Sequence, residues 1–248
     1  MKLRPRSTQK LLLDRAYDVL HAEIDAIDNI ELGPSFAEAI KALYSCRGPI
    51  LTTGMGKAGH IARKFAATLC STGSPAVYLH PGDAAHGDSG IIHPFHPDQV
   101  VFHVTNAGSL ISEISHSGGS AIAASGSPFG ANRPKAGSCM VAFSTSGKTQ
   151  EVLETIKQGW NLGLGTVICV TSHPDSELRE LSSIVIDMGV IKEAGELGLA
   201  PSASIAAMLA ISDALAIILS EEKGFLAAEF GARHHGGYLG KKARSGEL

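Results

Sequence analysis

The chain has 248 residues, of which 44% are hydrophobic and 18% are charged, and its formal net charge is −3. The 21 Lys and Arg residues are balanced by 24 Asp and Glu residues, with no block of like charge. This balance disfavours nucleic acid or an anionic membrane surface as a partner. The length suits one large α/β domain or two small ones.

The sequence predicts neither a membrane span nor a secretory leader. The longest apolar stretch, residues 205–219, is interrupted by Ser212 and Asp213 and is shorter than the roughly 20 residues that a bilayer requires. Asp14 and Arg15 interrupt the apolar run near the N-terminus. The four cysteines lie singly in apolar segments, without the spacing of zinc sites or disulfide frameworks. We therefore expect a cytoplasmic protein with buried, reduced thiols.

Apolar residues at helical spacing predict an amphipathic helix over residues 11–27, and Gly33-Pro34 starts a second helix that ends near Tyr44. After it, apolar strands alternate with helical patterns, which favours a parallel sheet with helices on both faces. The predicted strands are 49–53, 76–79, 140–143, 167–170 and 184–186, and the predicted helices lie near 58–69, 152–162, 176–181 and 202–223. Residues from about 95 to 138 are irregular, and so long a loop inside a domain is usually functional or poorly ordered.

A glycine-rich turn follows the first predicted strand. Gly54, Gly56 and Gly59 match the G-x-G-x-x-G pattern of dinucleotide-binding proteins, between a strand and a helix. The acidic residue that would close the second strand of such a site is missing, because that strand ends in Tyr78-Leu79-His80-Pro81 and Asp83 already lies in the following loop. The alternative interpretation is a tight turn in which the glycines allow close packing.

The same turn does not fit a phosphate-binding P-loop. Position 51 is Leu instead of Gly, and Ala58 stands where Ser or Thr would bind magnesium. Lys57 is the distinctive residue, since it places a cation at a helix N-terminus. The lysine charge and the positive end of the helix dipole would both stabilise an anion or a developing oxyanion.

A second turn, residues 144–149, opens another predicted helix and is rich in hydroxyl groups. Ser144, Thr145, Ser146 and Thr149 surround a glycine and offer side-chain and backbone donors to a phosphate monoester. An ordinary helix cap would need only one of these hydroxyls. Four together favour anion binding.

Taken in order, several motifs resemble the sugar isomerase (SIS) domain of arabinose-5-phosphate isomerases. The resemblance covers nearly the whole chain apart from residues 95–138, and its most specific element is the terminal His-x-Gly-Gly-x-Leu-Gly. The motifs are residues 54–60, 80–81, 85–88, 144–147, 192–202, 213–215, 224–225 and 234–240.

The resemblance implies a flavodoxin-like three-layer α/β sandwich and interconversion of D-ribulose 5-phosphate with D-arabinose 5-phosphate. It implies a homotetramer with shared active sites, no cofactor, and a role in lipopolysaccharide precursor biosynthesis. We expect residues 1–248 to form a single SIS domain with an irregular insertion at about 95–138. The paired CBS regulatory domains of the common full-length form are not expected in this chain.

The resemblance places the catalytic residues of the family on Lys57, Glu151, Glu193 and His234. It implies substrate contacts from a further set of residues: Thr53, Gly54, Gly56, His86, Ser144, Thr145, Ser146, Thr149 and Ser202. Two departures from the family pattern are His235, where Pro is usual, and Lys148, where Glu is common.

The chemistry needs a carboxylate that moves a proton between two neighbouring carbons through an enediol. Glu151 and Glu193 are the candidates, although the first could simply complement a helix dipole and the second could be a solvated loop charge. Lys57 would stabilise the oxyanion, and His234 would assist ring opening near neutral pH. The family places this histidine in a neighbour's site, so we expect His234 to act across a subunit boundary.

Histidines at 80, 86, 93, 96 and 103 raise the question of a metal site, but their spacing matches no compact zinc motif. We expect no physiological metal and, at most, adventitious zinc at His80 and His86. Two alternative functions remain open. One is isomerisation of a hexulose or heptulose phosphate, and the other is a non-catalytic phosphosugar-binding regulatory module.

Overall fold

Five parallel strands form the central sheet. The computed structural model describes residues 8–92, 101–104, 110–113 and 137–246. The described strands in chain order are β1 (Ile50–Gly54), β2 (Ala76–Tyr78), β3 (Val101–Val104), β4 (Leu110–Glu113), β5 (Cys139–Phe143), β6 (Thr166–Thr171) and β7 (Ile184–Asp187). The central sheet has the order β2-β1-β5-β6-β7, and every neighbouring pair in it is parallel.

Strands β3 and β4 pair with each other in a separate antiparallel ribbon. With this ribbon left out, the order of the central strands along the chain is 2-1-3-4-5, which is the flavodoxin-like arrangement. The predicted α/β fold with a parallel sheet is therefore confirmed. Most of the segment 95–138 lies outside the described residues, so its expected irregularity stays a prediction.

The helices predicted from apolar periodicity occur close to their expected bounds. A Pro at the first position starts α2, as Gly33-Pro34 indicated. The described helices are α1 (Gln9–Asp28), α2 (Pro34–Tyr44), α3 (Gly56–Ser71), α4 (Pro81–Ala84), α5 (Gln150–Asn161), α6 (Glu177–Leu181), α7 (Ala203–Glu222), α8 (Ala227–Arg233) and α9 (Tyr238–Ser245).

Alternate side chains of the strands feed two cores, one on each face of the sheet. In β5, Val141 and Phe143 join the core shared with α2, α3 and α7, while Met140 and Ala142 join the core shared with α5 and α6. Because both faces are covered, the central strands are apolar throughout instead of alternating with polar residues. The central sheet and the helices on its two faces therefore form three layers.

Helix α7 corrects one argument from the sequence. It has 20 residues and a mean hydropathy of 2.0 over its most apolar window, so by length and composition alone it could cross a membrane. Half of that window is buried inside the fold, where residues such as Met208 and Leu215 pack in the core. Its apolar composition is therefore explained by burial, whereas the argument that the stretch is too short was wrong.

Candidate active site

The candidate site lies where the strand order reverses. Strands β1 and β5 are neighbours, with Gly54 paired to Phe143, while β2 and β6 lie on opposite outer sides of them. Ligands of open parallel sheets bind at the carboxyl ends of strands at such a switch point. A cleft of about 280 Å³ occupies this position, lined by Met55, Lys57, Ala58, Phe143, Ser144, Thr145, Ser146, Thr149, His173, Pro201 and Ile205. The structure thus brings Lys57 and the hydroxyl-rich turn together.

Packing accounts for two of the three glycines in the turn after β1. A Cβ at Gly54 would meet backbone atoms of Ala58 and Phe143 at 3.0 Å, and one at Gly59 would meet the carbonyl oxygen of Gly54 at 2.6 Å. The hydroxyl of Tyr78 donates to the same carbonyl at 3.0 Å. Only Gly56 combines a positive φ of 59° with open space. These contacts support the interpretation of residues 54–59 as a tight turn that packs closely.

Lys57 is exposed in the first turn of α3. Lys57 lines the cleft together with Met55 and Ala58, so its positive charge and the positive end of the α3 dipole both lie beside it. This arrangement can stabilise negative charge on a bound ligand.

Hydrogen bonds pre-shape the turn that follows β5. The hydroxyls of Ser144 and Thr149 lie 3.2 Å apart, and the amide of Gly147 donates to the Ser144 hydroxyl at 3.1 Å. The amide of Lys148 donates to the hydroxyl of Ser146 at 3.2 Å. The turn therefore presents hydroxyls and the start of α5 to the cleft in one conformation, which suits a phosphate.

Gly147 is the one position of this turn where glycine is required. Its φ is +62°, and an added Cβ would collide with the buried hydroxyl of Ser176. We expect Gly147→Ala to lower the free energy of unfolding by about 2 kcal/mol and to disorder the turn, since strain and a clash coincide. Urea denaturation measures this effect. Gly236→Ala is the matched control, because an added Cβ there meets nothing within 4 Å; equal losses in both variants would contradict the prediction.

His173 belongs to the cleft and is absent from the residues predicted from the sequence. It follows β6, and its amide donates to the carbonyl of Thr145 at 3.3 Å. Its own carbonyl accepts from Arg179, which also pairs with Asp187. A histidine three residues beyond the end of the predicted strand 167–170 was the available signal, because the carboxyl ends of parallel strands share one edge.

Five predicted contact residues are placed outside the cleft lining, namely Thr53, Gly54, Gly56, His86 and Ser202. The hydroxyl of Thr53 is buried and donates to the carbonyl of Leu79 at 2.8 Å, so this side chain is used inside the fold. His86 is exposed after α4. Ser202 lies next to the cleft residue Pro201, and its hydroxyl and amide are directed at Glu193. Their substrate contacts stay predictions.

The histidines show no metal-binding arrangement among the described residues. No group of three or more His, Cys, Asp and Glu side chains in that part of the chain could hold a metal ion. Nδ1 of His80 accepts a hydrogen bond from the amide of Gly82 and so caps α4. His93, His96 and the side chain of His103 lie outside the described residues.

Glu193 caps the N-terminus of α7. Its carboxylate accepts hydrogen bonds from the amide of Ser202 at 2.8 Å, from the amide of Ser204 at 3.4 Å and from both serine hydroxyls. Burial alone would raise the pKa of Glu193, but these hydrogen bonds outweigh it and hold the pKa below its ordinary value. Glu193 also lines a second cleft of about 970 Å³, between α1 and residues 190–196. It is therefore neither a solvated loop charge nor a lining residue of the Lys57 cleft.

This cap predicts a pH-dependent stability. We expect Glu193→Gln to lower the free energy of unfolding by about 1 kcal/mol at pH 7, as for a lost helix cap. The lowered pKa means that the carboxylate stabilises the fold above its ordinary value of 4.5 and stops doing so as the pH falls through the folded-state pKa. Urea titrations at neutral and acid pH should show the difference between the two proteins shrinking in acid.

Glu222→Gln is the control for this experiment, because the exposed Glu222 is the last residue of the same helix. It should cause no such loss. A Glu193→Gln protein as stable as the wild type at pH 7 would show that the cap contributes nothing.

Glu151 and His234 complete the predicted catalytic set but do not line the Lys57 cleft. Glu151 is exposed in the first turn of α5, two residues after the cleft residue Thr149. His234 ends α8, where its ring stacks on Phe230 with centroids 3.8 Å apart. Nδ1 of His234 lies 2.9 Å from the carbonyl oxygen of Phe230. A carbonyl can only accept, so Nδ1 carries the proton and Nε2 is left for acid–base chemistry.

A second short helix follows His234. Helix α9 begins at Tyr238, within the glycine-rich motif 234–240. Arg244 of α9 donates to the carbonyls of Gly231 and His234, and so ties α9 to α8. The two helices together hold the histidine.

Comparison with known proteins places this site in context. The SIS domain family matches residues 109–218. The arabinose 5-phosphate isomerase KdsD of Escherichia coli K12 is 33% identical over 227 residues, which is 91% of this chain and 56% of the relative. The KdsD of Pseudomonas aeruginosa PAO1 is 34% identical over 222 residues, covering 89% of this chain and 55% of the relative. The chain thus spans a little over half the length of these curated relatives.

Two similar solved structures are covered almost completely. A protein of E. coli CFT073, solved in complex with A5P, is 30% identical with a TM-score of 0.71 over 92% of this chain and 100% of that chain. A Bacteroides fragilis protein, described as a phosphosugar isomerase involved in capsule formation, is also 30% identical with a TM-score of 0.71, over 92% and 99% of the two chains.

Proposed function

Because the chain belongs to the SIS-domain family, in the group that contains the arabinose 5-phosphate isomerases, we propose that it is an aldose–ketose isomerase of D-ribulose 5-phosphate and D-arabinose 5-phosphate. The observation that carries the proposal is the cleft at the switch point, where Lys57 and the hydroxyl-rich turn 144–149 line one space. The A5P-bound E. coli structure, which shares the fold, supports this substrate class.

Different residues of the cleft bind the phosphate and stabilise the developing charge on the sugar. The turn 144–149 and the N-terminus of α5 hold the phosphate through hydroxyl and amide donors. Lys57 stabilises the oxyanion that develops on the sugar as the enediol forms. His173, at the rim, adds a donor for the phosphate.

Proton transfer falls to a carboxylate beside the phosphate turn. In the direction from the ketose, a base removes a proton from C1 and returns it to C2, while the proton of the C1 hydroxyl passes to the oxygen on C2. Glu151 suits this step, because it is exposed one turn from the phosphate-binding end of α5. Glu193 is held as a helix cap by four hydrogen bonds, so we assign it to positioning the start of α7.

The proposed enzyme works as a homotetramer with shared active sites, in the cytoplasm, and supplies lipopolysaccharide precursor synthesis. Apolar side chains exposed on α1 and α7 support self-association, because such surface is costly to leave in water. These residues are Leu12, Tyr17, Leu20, Ile24, Leu209, Ile217 and Ile218. We further propose that residues 1–248 form a single SIS domain with an insertion at about 95–138, because helices of the described residues pack on both faces of one five-stranded parallel sheet.

Incubation of the purified protein with ribulose 5-phosphate in D₂O tests the function. We expect arabinose 5-phosphate to form and deuterium to enter the sugar at C1 or C2, because the enediol exchanges with solvent. Lys57→Met is the matched control and should lose turnover while the protein stays folded. If neither arabinose 5-phosphate nor deuterium appears, the isomerase proposal on this substrate is wrong.

The same assay separates the alternatives. A screen of C5 to C7 sugar phosphates would identify another phosphosugar as the substrate. A regulatory module would bind one of them with no turnover of any. One observation favours keeping this second candidate: among the four predicted catalytic residues, only Lys57 lines the cleft of the single chain.

A further inference from the structure

Two cysteines that the proposed reaction does not use lie together at the edge of the sheet opposite the cleft. Cys46 lies between α2 and β1, and Cys139 is the first residue of β5. Because β1 and β5 are adjacent parallel strands, their amino ends meet at this edge. The amide of Cys139 donates to the Sγ of Cys46 at 3.2 Å, and the thiol of Cys139 donates to the carbonyl of Ala42 at 3.5 Å.

The surroundings favour a thiolate on Cys46. The neighbouring Cys139 lowers the pKa of Cys46 to about 7, against the opposing effect of burial. The backbone at Cys139 and Gly48 and the ammonium group of Lys223 lower the pKa further. The pKa of Cys139 is raised by the same neighbouring sulfur and by burial. The pair therefore combines one reactive and one protonated sulfur.

The two cysteines also differ in their accessibility to solvent. Cys46 is half-buried, so a small oxidant can reach it, whereas Cys139 is buried with 4% of its surface exposed. Burial raises the pKa of Cys169 to about 11, which leaves that thiol inert. Cys70 is exposed and serves as an internal reference.

We propose that Cys46 and Cys139 form a reversible disulfide when the protein meets hydrogen peroxide. The Cys46 thiolate attacks one peroxide oxygen, the O–O bond breaks, and the departing hydroxide takes a proton to become water, which leaves Cys46 as a sulfenic acid. The Cys139 sulfur then attacks the sulfenic sulfur, and its proton leaves with the sulfenic hydroxyl as a second water. Two thiols are oxidised to one disulfide while one peroxide is reduced to two waters.

The crosslink would close the chain between residues 46 and 139, which contains β1, β2 and the segment 95–138. A loop of this length restricts the unfolded chain strongly, so oxidation should raise the Tm by roughly 5–10 °C. The cleft lies at the opposite edge of the sheet, so the binding of sugar phosphates should not change.

Peptide mapping of the peroxide-treated protein without reductant tests the proposal. We expect a peptide pair linked through Cys46 and Cys139 that disappears with dithiothreitol. The Cys70→Ser variant should form the same link, and the Cys46→Ser variant should not. Cys46 recovered unmodified, as a sulfinic acid, or linked to any other cysteine would overturn the proposal.

A second measurement needs no variant. The rate of alkylation of each cysteine in the untreated wild-type protein is followed by mass spectrometry from pH 5 to pH 10. Cys46 should react at half its maximal rate near pH 7, below the value of about 8.5 that is ordinary for a free thiol. A Cys46 that reaches half its maximal rate only at or above that ordinary value would show that the pair does not prepare a thiolate, and the mechanism would fail.

Discussion

Mixing Lys57→Met protein with His234→Ala protein should restore isomerase activity, although each variant alone is inactive. Lys57 lines the cleft of its own chain, whereas His234 is held by α8 and α9 away from that lining. If the histidine serves a neighbour's cleft, random hybrids contain some sites with both residues intact. With equal amounts, about a quarter of the sites should recover, because each intact residue is supplied half of the time.

The control for this experiment is a mixture in which rescue is impossible. Lys57 and Ser144 line the same cleft of one chain, so Lys57→Met mixed with a double variant of Ser144→Ala and Thr149→Ala should show no more activity than that double variant alone. Subunit exchange must be demonstrated by mass spectrometry of hybrids carrying two different tags. Hybrids that form but show no activity above the single variants would contradict a shared site.

The second large effect is expected at the phosphate turn. Replacing Ser144, Ser146 and Thr149 together by alanine should raise the KM for ribulose 5-phosphate on the order of 100-fold. Hydrogen bonds to a charged group each contribute about 1.5–3 kcal/mol, and the buried phosphate oxygens would lose such partners. The hydroxyls also hold the turn, since Ser144 bonds both Thr149 and the amide of Gly147.

Thr68→Ala is a suitable control for the triple variant. Its hydroxyl donates to the carbonyl of Lys64 on α3, away from the cleft lining, so KM should not change. Circular dichroism and thermal melting show whether the triple variant is folded. A folded triple variant with an unchanged KM would mean that the phosphate binds elsewhere, and residues 105–109, outside the described residues, would be examined next.

The elements of this fold follow from local patterns in the sequence. Uninterrupted apolar runs such as residues 140–143 predict strands that are buried on both faces, and these strands form the centre of the sheet. Gly33-Pro34 marks the start of α2, because proline tolerates the first turn of a helix. Apolar periodicity predicts α1, α3 and α5. Short helices such as α4 and α8 carry too few residues for a periodic signal.

The sequence likewise predicts some parts of the candidate site and leaves others to the tertiary structure. The turn 144–149 and Lys57 are recognisable because each combines a strand end, small residues and a helix start within a few positions. That both border one cleft depends on the strand order, which places β1 beside β5 although some 85 residues separate them.

The sequence by itself therefore determined the α/β class, most of the elements and the two turns that carry the proposed chemistry, because those signals repeat over neighbouring residues. Only the tertiary structure decided that Glu193 caps α7, that the Thr53 hydroxyl is used inside the core, that His173 reaches the cleft and that Cys46 meets Cys139. Each of these contacts joins residues on different elements, and a hydrogen bond across such a distance in sequence leaves no periodic trace. Its energy depends on the geometry that the whole packed sheet imposes.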